Sequence, residues 1–503
     1  MKKIKLLNIA LTLVMLLGMF GVKISAKEIT DNTVPGITID TATGERINVV
    51  KYDSDTKKYI VNEGQDFPNG GSFTYDDSTY TLTITNADLR AVAIDGWSPK
   101  NETVINIKFV GNNKIHNLNE GEYPDIPLNI GMDAIIEFAE GSTLEIVGDG
   151  AIAAQFRHNV TIKGGKITSP QTQGGFVTLN GDLTLDGTEL EMTVKESAGF
   201  PGIWNQDYED NVQGKTIIKN GSKINITTAG LGIWSGDLDV DNSTLNINST
   251  GSYGCYSGTE SIDITNNSNV TINSTENPLY AKKEIKVENS VLITSSPDSI
   301  QLRAGSGNIT IDNSKFKLDS TGNYLIYTDG GKILVDGDEK SYTDYVHHYA
   351  TLADYIAVES AKAAAEAVEN KELYSNYDAV QAAIGAVVEG KDFTEQETVD
   401  GYATAITNAI NALTYKDADY SKVDAAIAKA NGLKKEDYKD FSKVTEAIEA
   451  VVRGKNITEQ GIVDSYAEVI EKAISELEKK PTPKPESKPE TKPNYIIPNT
   501  CTK

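Results

Sequence analysis

Cysteine is almost missing from this chain: 503 residues contain only Cys255 and Cys501, so no disulfide framework staples it and packing must hold it together. Histidine is as scarce, at His116, His158, His347 and His348, and no zinc-ligand spacing occurs. Arginine is thin through the middle, at Arg90, Arg157 and Arg303, with no two in one repeat. Lys and Arg total 47 against 72 Asp and Glu, a formal net charge of −25. Phosphate binding needs clustered cations, so nucleic acid is excluded as a partner. Beyond the first 26 residues no apolar run is long enough to cross a bilayer, so no transmembrane span is expected in the mature chain.

The apolar run that does occur, in "MKKIKLLNIALTLVMLLGMFGVKISA", follows Lys2, Lys3 and Lys5 and ends in small residues. This is the pattern of a secretory signal peptide, 1–26, cleaved after Ala26, with retention as a membrane anchor the alternative. A chain of this length is expected to hold two to four structural units.

The middle of the chain repeats about every 22 to 24 residues, aligned on Asn220, Asn242, Asn266, Asn289 and Asn313, with Gly187 at the equivalent place one turn earlier. Apolar residues stand two and four places before the Asn, as Val240 and Leu238, and three and five places after it, as Leu245 and Ile247. Asn220 and Asn266 carry one extra residue. Period-two alternation broken by a short corner predicts two strands meeting at a bend. A third short strand follows, centred on Ile233, Cys255, Leu279, Leu302 and Ile326. Three strands per turn describe a parallel β-helix, whose turns bury their inner faces only by stacking. Ten or eleven turns, including less regular ones from Ser78 onward, predict a rod roughly 50 Å long. The five Asn are expected to form a side-chain ladder at the corner, each amide bonding the next.

The pattern changes near residue 350. Two Ala-rich copies follow, "ADYIAVESAKAAAEAVEN…" and "ADYSKVDAAIAKANGL…", each with three helix-length segments. Thr394 in "FTEQ" and Thr458 in "ITEQ" are expected to cap the last helix of each copy. The expected organisation is a signal peptide (1–26), N-terminal cap strands (27–69), a mainly β unit forming a right-handed parallel β-helix (70–345), two all-α three-helix bundles (352–414 and 417–478) and a Pro- and Lys-rich wall-spanning tail (479–503). Such a tail is extended and semi-rigid.

These features resemble Gram-positive, clostridial-type cell-surface proteins. The coil is similar to the pectate-lyase-like repeats of secreted proteins described as carbohydrate-binding domain-containing. The motifs "DYSKVDAAIAKAN" and "VVRGKNITEQ" resemble FIVAR-type bundles. At the end, Ile497, Pro498, Asn499 and Thr500 resemble a degenerate sortase signal, with Cys501 where the family has Gly and without the apolar, basic tail. The resemblance implies an exported protein at the cell wall and leaves covalent anchoring or release open.

Catalysis by a β-helix needs carboxylates around calcium with a basic residue, or paired acids at a set separation. Asp239, Asp263 and Asp312 recur as outward residues and read as a solvated face, leaving room for weak surface calcium at most; no cofactor is expected. Cys255 takes an inward place. The binding candidate is a row fourteen residues after each Asn: Trp234, Tyr256, Tyr280, Arg303 and Tyr327, with Trp204 in an earlier turn. Gly232, Gly254 and Pro278, on the same face, are expected to leave the rings uncovered. Strands about 4.8 Å apart bring such rings close enough to stack on one another, so a sugar platform and a purely structural stack are both open.

The expected function is a secreted, surface-associated, non-catalytic carbohydrate-binding or adhesin-like rod on helical spacers, its partners a glycan or host-matrix ligand and the bacterial cell wall. A polysaccharide lyase or glycoside hydrolase with accessory bundles, and a purely structural stalk, are the alternatives.

Overall fold

The computed structural model describes residues 23–28, 36–95, 104–117, 126–148, 152–195, 200–206, 214–322, 324–345 and 348–482. The body of the expected signal peptide and the sortase-like residues Ile497, Pro498, Asn499 and Thr500 lie outside the described residues, as does His347. The chain divides into two compact units, residues 1–351 and 352–503.

The first unit is a parallel β-helix. Thr81–Thr85 pairs in parallel with Ile105–Val110, and from Ile105 to Asp312 each strand pairs in parallel with the strand three places later. Leu238 and Val240 lie beside Ile262 and Ile264, which lie beside Ile285 and Val287. Leu245 and Ile247 lie beside Val270 and Ile272 on the second face, and Ile233, Cys255, Leu279, Leu302 and Ile326 line up on the third. All five of the last set are 0% exposed. One continuous apolar cluster runs from Ile37 to Tyr345 through the axis of the coil.

The coil has about nine turns rather than ten or eleven, because strands at both ends close it instead of extending it. At the start, Gly36–Thr41 lies antiparallel on Asp88–Asp95, and Ser72–Asp76 lies antiparallel on Thr81–Thr85. At the finish, His348–Ala350 lies antiparallel on Lys315–Asp319, and Asp338–Lys340 on Ile333–Val335. An antiparallel closing strand reverses the ladder and leaves no row ready for another turn. The strand Lys23–Glu28 pairs antiparallel with Lys58–Asp66, so it runs across the expected cleavage point after Ala26.

The corner is built differently from the expected ladder. Asn220, Asn242, Asn266, Asn289 and Asn313 all adopt left-handed backbone, with φ between 45° and 59°, and all five are exposed. Asn tolerates this conformation better than other non-glycine residues. The extra residue at two corners is Gly221 or Asn267, also with positive φ. An amide-to-amide bond joins Asn313 Nδ2 to Asn289 Oδ1 at 2.7 Å, but Asn220 and Asn266 donate instead to Asp186 and Asp241. The buried hydroxyls beside them do the stacking. Ser268 Oγ shares its one proton between the carbonyls of Val240 and Thr265 and accepts from the Ser243 amide, and Ser290 Oγ accepts from the Ser268 amide in turn.

The second unit holds α1 (Ile356–Glu366), α2 (Tyr377–Gly385), α3 (Gln396–Asn411), α4 (Ser421–Asn431), α5 (Ser442–Glu449) and α6 (Gln460–Ser475). They form two apolar clusters, one around Val358, Val380, Val399 and Ile406, the other around Val423, Val444, Val463 and Ile470. The copies share their polar bonds. Tyr355 and Tyr420 donate to the Val388 and Val452 carbonyls, and Gln396 and Gln460 donate to the Asp354 and Asp419 carbonyls. Thr394 and Thr458 do not cap the last helices. A 3-10 turn precedes each, and the capping acceptors are Asp392 and Asn456, which bond the amides of those threonines.

Candidate functional site

The third face of the coil carries the candidate residues, because its strands are only three or four residues long: an inward residue, then an outward one, then an inward one. Trp204 lies beside Trp234, Trp234 beside Tyr256, Tyr256 beside Tyr280, Tyr280 beside Arg303, and Arg303 beside Tyr327. Six successive turns therefore place a ring or a guanidinium at one register position, and all six side chains are half-buried.

The rings touch without forming a single pile. Trp204 and Trp234 stack at 5.7 Å with planes 20° apart, and Tyr256 and Tyr280 stack at 5.0 Å with planes 7° apart. Between the pairs, Trp234 meets Tyr256 at 81°. Two stacked pairs set perpendicular offer edges and faces together, where one pile would leave mainly edges. The Arg303 guanidinium stands 5.7 Å from the centre of the Tyr280 ring, and its Nη2 is 3.4 Å from Asp329 Oδ2.

Gly232, Gly254 and Pro278 are buried and do not uncover the rings. A Cβ on Gly232 would stand 2.5 Å from the Ile247 methyl, and one on Gly254 would meet the Pro278 carbonyl at 2.6 Å. The chain turns a corner just before the ring, so simple alternation does not run through it, and glycine is needed for a close inner approach.

Four aromatic residues extend the strip beyond the sequence-predicted set. Phe200 lies 6.2 Å from Trp204, Tyr253 bridges Tyr256 and Tyr280 at 5.4 and 6.0 Å, and Tyr342 contacts both Tyr324 and Tyr327. A signal existed for two of them: Tyr253 and Tyr324 each stand three residues before a row tyrosine, in "YGCY" and "YLIY". Tyr342 comes from the closing segment, where no repeat predicts it. Burial and the neighbouring Glu276 push the Tyr253 hydroxyl above its ordinary pKa, and burial does the same for Tyr256. Both are neutral hydrogen-bonding phenols. The indole Nε1 of Trp204 is buried without a partner.

Asp239 and Asp263 are not a solvated face: they lie side by side on adjacent strands and are half-buried. Lys215 bonds Asp237 and Lys286 bonds Glu288, so neither cation is committed to the pair. Burial, reinforced by repulsion from Asp239, pushes Asp263 up to about 6, and burial also raises Asp239. Asp312 is half-buried as well, and its Oδ1 accepts from the Gly337 amide.

Among the described residues no group of three or more His, Cys, Asp or Glu stands where it could hold a metal ion. His116 bonds Glu145 at 3.1 Å and His348 bonds Asp319 at 2.6 Å, in separate parts of the coil. Cys255 is buried and free, its thiol pushed up by burial alone. No described helix is long and apolar enough to cross a membrane. Compared with known proteins, the chain matches no family model, no curated protein and no solved structure.

Proposed function

We propose that this protein is a secreted, surface-associated, non-catalytic rod that binds carbohydrate or acts as an adhesin, displayed on helical spacer bundles. The observation that carries the reading is the contact strip from Trp204 to Tyr327, kept at one register position through six turns. Aromatic faces hold sugar rings through their C–H groups, and the phenols of Tyr253 and Tyr256 supply hydrogen bonds at the rim. A glycan lying along the rod meets several weak contacts at once, which sum by multivalency. The leader pattern supports export, and the Pro- and Lys-rich tail with its sortase-like end supports association with the bacterial cell wall. The classes of ligand such a strip fits are a glycan or a host-matrix component.

The test is a glycan array probed with the full chain and with Trp234→Ala and Tyr256→Ala. Each substitution is expected to weaken binding about tenfold, the loss of one ring contact. Binding unchanged in both variants moves the site off the strip, and no binding at all leaves the structural stalk.

One observation favours a second reading, a lyase or hydrolase: Asp263 sits near 6 beside Asp239, a range suited to acid–base work. Release of unsaturated or reducing sugar ends during the same incubation would establish it in place of the first.

A further inference from the structure

Arg303 breaks a run of rings. The other five positions of the row are Trp or Tyr, and the substituted turn lies between Tyr280 and Tyr327. Its guanidinium rests over the Tyr280 ring, and its charge also acts on the Tyr253 hydroxyl. Its donors are poorly used. The Asp329 contact is long, at 3.4 Å, between side chains 37% and 43% exposed, and Nε is buried with no hydrogen-bond partner. An exposed ion pair of that kind contributes little and is readily exchanged, which leaves the outer edge of the guanidinium open to another oxyanion.

We infer that Arg303 makes the strip selective for a sugar that carries a carboxylate, the pyranose lying on the neighbouring tyrosines and the carboxylate taking the guanidinium fork in place of Asp329. The inference rests on the glycan-binding reading of the strip. The fork geometry of arginine matches the two coplanar oxygens of a carboxylate, which an ammonium would meet only as a point charge. The carboxylate can come from an acidic sugar at a chain end or from uronic acids within a polymer. A net charge of −25 repels a polyanion at long range, so the chain-end source, with a single charge, is the one the molecule favours.

The experiment titrates the full chain with 3′-sialyllactose, with its methyl ester and with a glucuronate-containing tetrasaccharide, followed by calorimetry and by tryptophan fluorescence. The free acid is expected to bind about tenfold or more tightly than the ester, the worth of a charge-assisted hydrogen bond. Arg303→Gln should abolish the difference between acid and ester, and Arg303→Lys should restore part of it. Asp329→Asn, which frees the guanidinium, should tighten the acid alone. Thermal melts of each variant separate loss of binding from loss of fold. Equal affinity for acid and ester, or a preference that survives Arg303→Gln, overturns the inference. Tighter binding of the tetrasaccharide than of sialyllactose overturns the chain-end source. Binding of neutral glycans on the array without any of these three overturns the inference and leaves the strip reading standing. Binding of no glycan of any kind removes both.

Discussion

Asp263 shows how much one residue's surroundings can differ from its pattern. It alternates outward as a surface aspartate would, yet adjacent strands put Asp239 directly beside it, and its Oδ1 is buried without a partner. Its folded-state pKa of about 6 lies above the ordinary carboxylate value. A group raised in this way binds its proton more tightly when folded, so its contribution is fully present below the ordinary value and is lost as pH rises through about 6. Unfolding by urea should therefore show stability falling between about pH 4 and pH 6, by on the order of 1 kcal/mol once screening of a half-buried group is discounted. Asp263→Asn should flatten that slope and stabilise the protein at pH 7. A slope unchanged by the substitution would assign the pH dependence to other groups.

At the scale of the element, the corner between the first two strands is a joint work of two residues. The exposed Asn supplies left-handed backbone, and the buried Ser after it links one turn to the next. Ser268 Oγ shares its one proton between two carbonyls and accepts from one amide, so removing it leaves buried polar groups unpaired. Ser268→Ala should cost about 1–3 kcal/mol in equilibrium unfolding. Asn289→Gly should cost far less, since glycine reaches the same φ without strain. Equal losses from the two substitutions would contradict this division of labour. The helices show the same economy: the bonds of Tyr355 and Gln396 recur at Tyr420 and Gln460, so both copies close by one scheme.

At the scale of the whole molecule, a coil of stacked turns has two ends, and each would otherwise present unpaired strand edges to another chain. The closing strands at Gly36–Thr41, Ser72–Asp76, Asp338–Lys340 and His348–Ala350 prevent this by reversing direction. Substituting prolines at Tyr349 and Ala350, which pair with Leu318 and Lys317, takes backbone donors out of the closing strand and should open the C-terminal end. Light scattering is expected to show the wild type as monodisperse and this variant as associating; a variant as monodisperse as the wild type would mean that the strand is not what keeps the end closed.

The sequence by itself determined the parallel coil, because a period of 22 to 24 residues with alternating apolar positions has few ways to bury its inner face. It determined the inward row from Ile233 to Ile326, and the helical copies, for the same reason: periodicity is local, and burial follows it. Only the tertiary structure decided what lies between turns. Whether rings stack or stand perpendicular, whether Asp239 and Asp263 face each other, and whether Asn or Ser bonds across a corner depend on side chains some two dozen residues apart meeting in space. Tyr342 joined the strip in the same way, from a segment outside any repeat, because closing the end of the coil brought it there.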